Sequence, residues 1–92
     1  MHEFQVGERY LLIHEASHRT GDVRGVERTL FRIRITKLEV NVNYVVEEVL
    51  QVENPPPWNP NGGTRVGLTG GFTAEYGREL LKTGKMQGPM LG

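Results

Sequence analysis

From residue 30 to 36 the chain reads Leu-Phe-Arg-Ile-Arg-Ile-Thr, a strict apolar–polar alternation. Side chains on a strand alternate faces, so this pattern predicts a half-buried strand with Phe31, Ile33 and Ile35 inward and Arg32, Arg34 and Thr36 outward. Past Lys37 the apolar set shifts phase to Leu38, Val40 and Val42. A one-residue slip of this kind is what a β-bulge or tight turn produces, and Asn41 and Asn43 suit a turn nearby. Residues 44–52, rich in valine, predict a further strand that should pair antiparallel with 30–36. Residues 4–13 predict an opening strand kinked at Val6-Gly7-Glu8, after which Tyr10 and Leu12 face one side and Leu11 and Ile13 the other. Its rival is a helix over 8–20 stopped by Gly21, because Glu8, Arg9, Leu11, Leu12, Glu15 and Ala16 are good helix formers.

The remaining segments are polar or broken by glycine and proline. Residues 16–29, with turn signals at Thr20-Gly21-Asp22 and Arg24-Gly25, predict a long arginine-bearing loop. Pro55-Pro56-Pro57-Trp58-Asn59-Pro60 must end the preceding strand, since proline supplies no ladder donor and favours polyproline II. Asn61-Gly62-Gly63 turns the chain and 64–68 offers a short fourth strand. Thr73 is a suitable cap for a helix to about Lys82, with Phe72, Tyr76 and Leu80 on one stripe and Gly84 as the stop. Gly77 weakens that helix, which must then rely on packing. Residues 86–92 read as a flexible tail. The sum is one mainly β (α+β) domain over 1–92: a small bent β-meander or partly open barrel of about four strands with one short C-terminal helix. In strand count and loop length alone, its outline resembles small Src-homology-3-like or OB-like barrels.

Composition sharpens this picture. A chain of 92 residues supports one modest core. Nine of its 12 glycines stand at or after Gly62, so the core belongs to the first half and the last third wraps it. There is no cysteine, which excludes disulfides and thiolate metal sites and fits a reducing compartment. Met1-His2-Glu3-Phe4-Gln5 lacks the basic-then-apolar order of a signal peptide, and no run approaches the roughly 18 apolar residues of a membrane span; the expected location is cytoplasmic. Net charge is zero, yet residues 16–37 carry six bases against two acids and residues 38–62 carry four acids and no base. Arg32, Arg34 and Lys37 are therefore expected beside Glu47 and Glu48 in a hairpin, which leaves little free positive charge for nucleic acid. Glu47 and Glu48, adjacent on a strand, should point to opposite faces and so do not form a catalytic pair.

Three segments invite a chemical reading. His14-Glu15-Ala16-Ser17-His18 matches H-E-x-x-H, which on a helix sets two histidines on one face to bind zinc with the glutamate as base. Catalytic zinc wants a third protein ligand, and the extended pattern would place it at Arg24, a cation; a strand would also separate the histidines. No metal or catalytic set is therefore assigned. Gly70-Gly71-Phe72-Thr73 before a helix is a candidate anion site, with Arg65 or Arg78 able to assist. Pro56, Pro57 and Trp58 form a candidate docking element, since a stiff proline run beside a tryptophan makes a common anchor. The expected function is that of a non-enzymatic binding or accessory protein, without cofactor, acting through protein–protein contacts that include self-association. A phosphate-bearing ligand, nucleic acid or nucleotide, held by the loop arginines and the Gly70-Gly71 turn, is the alternative; a zinc hydrolase built on the histidine motif is the third.

Overall fold

The computed structural model describes residues 1–90. The chain forms β1 (Arg9–Thr20), β2 (Val23–Glu39), β3 (Asn41–Glu53), β4 (Thr69–Phe72), α1 (Ala74–Thr83) and β5 (Met86–Met90). All five strands belong to one open antiparallel sheet in the order β4-β3-β2-β1-β5, and α1 packs against β5 and β3. The molecule is elongated, 43 × 23 × 23 Å, because β1 and β2 run on beyond the region that the helix covers. Among the described residues no helix is long and apolar enough to cross a membrane.

The alternation read in the sequence is realised at the centre of the sheet. Ile33 and Ile35 are fully buried and Phe31 nearly so, packed with Tyr10, Leu12, Val42, Val46, Phe72, Leu80 and Met86. Residues 30–36 pair antiparallel with β3, and the phase change past Ile35 is a register shift between Ile35 and Lys37. The turn that follows is tighter than the asparagines suggested. Val40 alone makes it, at φ +59°, while Asn43 Nδ2 reaches the carbonyls of Lys37, Glu39 and Asn41 from within β3.

Two more register shifts change what β3 presents. Val46 lies opposite Ile33 and Glu48 opposite Arg32, so Glu47 is an extra residue in a bulge. A bulge re-aims side chains. Glu47 and Glu48 consequently do not diverge to opposite faces: both reach arginines on the face away from the core. Arg9 Nε donates to Glu47 Oε1 at 2.8 Å, Arg34 Nε to Glu47 Oε2 at 3.2 Å, and Arg32 Nη1 to Glu48 Oε2 at 2.8 Å. Lys37 instead pairs with Glu39. The hydrogen bond from Arg9, helped by Arg34 and by both positive charges, holds the Glu47 carboxyl below the usual carboxylate range against the opposing effect of burial.

Three expectations about the elements themselves need correction. Residues 16–29 are not a loop: β1 and β2 remain paired out to Thr20 and Val23, joined by Gly21-Asp22 with Gly21 at φ +60°. These residues lack apolar alternation because the hairpin has outrun the core, leaving backbone hydrogen bonds to hold it. The fourth strand is Thr69–Phe72 rather than 64–68. Val66 and Leu68 are exposed there, whereas Phe72 is buried and anchors β4 to the core. Residues 86–90 are not a flexible tail but β5, whose buried Met86 pairs opposite Leu12; residues 91 and 92 lie outside the described residues.

The helix is capped as expected, with Thr73 Oγ1 accepting from Tyr76 N–H and Gly84 in the left-handed conformation, but its buried stripe is Gly77 and Leu80, and Tyr76 is exposed. A Cβ built on Gly77 would stand 2.5 Å from Phe72 Cε2 and 2.7 Å from Phe4 Cζ. The residue that weakens the helix in isolation is the one that lets it sit against two aromatic rings.

Candidate functional site

Beyond the core, the β1–β2 hairpin becomes a two-stranded arm. The pairing of β3 with β2 ends at Glu53 opposite Arg28, and Asn54 then takes a left-handed conformation (φ +52°). Its side-chain amide donates to the Val26 carbonyl, and its own carbonyl accepts from His18 Nε2 at 2.8 Å. Nε2 is the donor in that bond, because a carbonyl can only accept. His18 lies across Gly25, its cross-strand partner: a Cβ at Gly25 would fall 2.5 Å from His18 Cε1 and 2.9 Å from Asn54 Nδ2. Only a glycine opposite His18 admits this packing.

The proline-rich segment folds back over the same end. Pro56 is buried, so of Pro56, Pro57 and Trp58 only Pro57 and Trp58 are available to a partner. Trp58 is 65% exposed and stands edge-on to His18, with ring centroids 6.1 Å apart. Behind it the chain is pinned: Asn59 N–H donates to the Pro56 carbonyl, Gly62 N–H to the Asn59 carbonyl, and Gly63 N–H to Glu27 Oε1. A cleft of about 750 Å³ opens on the arm, lined by His18, Arg19, Arg24, Gly25, Val26 and Asn54 among others.

Two cations meet at the arm's tip. Arg19 and Arg24 are directly opposed across the hairpin. Like charges so placed repel, and among the described residues the acid ion-paired with Arg19 is the fully exposed Asp22, at 4.0 Å. This juxtaposition was legible in one signal not followed in the sequence: a two-residue Gly-Asp link between paired runs sets Arg19 opposite Arg24.

The remaining sequence candidates fall elsewhere. His14, Glu15 and His18 lie on β1, which is a strand and not the rival helix. Four residues of strand separate the histidines by roughly 13 Å, so the chelating geometry of a helical H-E-x-x-H does not form. Among the described residues no three His, Asp or Glu side chains converge as a metal would need. Gly70 and Gly71 are not a turn before the helix; they belong to β4, opposite Tyr44 and Asn43. Gly70 gives room to the Tyr44 ring, since a Cβ there would lie 2.5 Å from its hydroxyl oxygen. Thr73 spends its hydroxyl on the helix cap, and Arg65 is exposed on the connection before β4.

Compared with family models, with curated proteins and with solved structures, the chain matches none of them.

Proposed function

We propose that this domain is a non-enzymatic binding or accessory module of the cytoplasm, acting through protein–protein contacts made by its distal arm. The observation that carries the reading is Trp58: a large aromatic, mostly exposed, on a segment pinned to the sheet by Pro56 and Gly63. An amphipathic ring held in place loses little conformational freedom on burial, which is why tryptophan so often dominates interfaces. Val26, exposed on the arm and lining the cleft, adds apolar surface. The test places a photo-crosslinking amino acid at position 58 and, as a control, at the exposed position 76 on the helix. Crosslinking of a protein from 58 and not from 76, with Trp58→Ala lowering its affinity at least tenfold at unchanged thermal stability, is expected. Equal yields at both positions, or an affinity indifferent to Trp58→Ala, would remove the reading.

A second reading, a binder of phosphate-bearing ligands, draws on the opposed Arg19 and Arg24 beside the cleft. It requires an affinity for single-stranded oligonucleotide that falls steeply with salt and is lost in Arg24→Ala. Binding that ignores salt would dismiss it.

A further inference from the structure

Among the described residues, the sheet leaves two long stretches of strand edge without a backbone partner. On one side β4 pairs with β3 only from Val42 to Val45, with Leu68 and Gly67 serving Val46, so residues 47–53 are open. On the other, β5 pairs with β1 from Arg9 to Leu12, and Ile13 N–H is taken by the Lys85 carbonyl, so residues 14–20 are open. Open edges invite a further strand, and the two differ in which strand they would accept.

The free window of β1 is bounded by Lys85 at one end and by the Gly21-Asp22 turn at the other, and its midpoint is Ser17. Backbone N–H groups point to alternate sides along a strand. Because Ile13 donates outward, away from β2, the N–H groups of Glu15, Ser17 and Arg19 point outward as well. An antiparallel strand using the whole window about Ser17 would meet these three residues as hydrogen-bonded pairs. In that register a second copy sets Ser17 against Ser17, Glu15 against Arg19, and Arg19 against Glu15. The cross-strand charges are opposite at both ends, on the face that already carries the opposed Arg19 and Arg24, where among the described residues Arg19 has only the distant Asp22 as an acid partner. The incoming glutamate would supply it. Within its own chain Glu15 faces Arg28 across the hairpin and lies 3.6 Å from Lys85 Nζ, so it is already held on that side.

The β3 edge behaves oppositely. Its midpoint is Leu50, and two-fold pairing there would set Glu47 against Glu53, acid on acid, with three prolines following.

We propose that two copies of this chain associate through the free edge of β1, antiparallel about a two-fold axis at Ser17. This rests on the protein-binding reading above and names one of its partners as the chain itself. Isologous closure of this kind joins the two sheets through β1 and covers the open β1 edge of both copies.

The experiment is sedimentation velocity of the full chain over a concentration series, with circular dichroism to follow the fold. Wild type is expected to be dimeric. Ser17→Pro removes an outward N–H that β2 does not use, so it should yield a folded monomer. Arg19→Glu relieves the repulsion with Arg24 inside each copy but sets glutamate against glutamate between copies. It should keep or raise thermal stability while weakening the dimer at least tenfold, and adding Glu15→Arg should restore association. A wild-type monomer at millimolar concentration, a dimer indifferent to Ser17→Pro and Arg19→Glu, or a double variant no tighter than Arg19→Glu would each overturn the proposal. A monomer that still crosslinks another protein from position 58 would end the dimer and leave the binding reading intact. Loss of crosslinking with an unchanged, Ser17-sensitive dimer would do the reverse.

Discussion

The two ends of the β1–β2 hairpin share a backbone ladder and almost nothing else. At the near end Tyr10, Leu12, Phe31 and Ile33 turn inward into one core with Phe4, Phe72 and Leu80. At the far end the same alternation continues with His14, Ala16 and His18 facing Thr29, Glu27 and Gly25, polar or small residues of which only Thr29 is buried. The difference teaches that strand and core are separable. Hydrogen bonds extend the ribbon as far as the turn allows, while apolar area decides where stability resides. What lies past the core is free to serve recognition, since its residues add little to the few kcal/mol on which a small domain depends.

That comparison breaks most decisively at Ile33. Removing its side chain (Ile33→Ala) leaves a cavity at a fully buried site and should cost about 2–5 kcal/mol in urea unfolding, whereas His14→Ala, on the arm, should shift the midpoint hardly at all. Comparable losses would mean that the arm belongs to the core's cooperative unit. Gly77→Ala is next: a gain in helix propensity opposed by the Phe72 and Phe4 rings, with overpacking expected to win and destabilise by about 1–3 kcal/mol. A stabilised variant would show that the helix has room to lift off. The smallest effect is electrostatic. The Glu47 pKa is depressed in the folded state, so its share of stability is present above the ordinary glutamate range and is lost as pH falls through the lower folded value. Glu47→Gln should therefore matter modestly at neutral pH and flatten the acid limb of the stability profile; an unchanged limb would show that the arginines do not favour the charged form.

The near end was legible because burial writes itself into residue type. Phe31, Ile33 and Ile35 and the pairing of 30–36 with β3 followed from alternation, and Thr73 and Gly84 from cap chemistry. The arm was not, because a ribbon that runs past the apolar core carries no hydrophobic period, and polar residues there look like a loop. Bulges hid the convergence of Glu47 and Glu48, since an inserted residue breaks the parity on which their divergence was argued. The candidate site suffered similarly. Trp58 was visible as a lone aromatic in a proline run, but the burial of Pro56 depends on how the segment folds back, and the packing of His18 on Gly25 depends on a register set by the turn. Gly70 and Gly71 looked like a loop because glycine next to glycine usually is one; here Tyr44 claims the space.

The position of β5 sets the order in which this sheet can be assembled. β1, β2 and β3 are joined by links of one or two residues, so each hairpin can zip from its own turn. β5 must find Arg9, Leu11 and Leu12 from the far end of the sequence, and that closure gains its reward only after the loop entropy of nearly the whole chain has been spent. The last partner to arrive is ordinarily the first to leave. In native-state hydrogen exchange the amides of β5 should open well before those of the β2–β3 centre, and each such opening bares the N-terminal half of β1, whose edge in the closed molecule is available only from His14 onward.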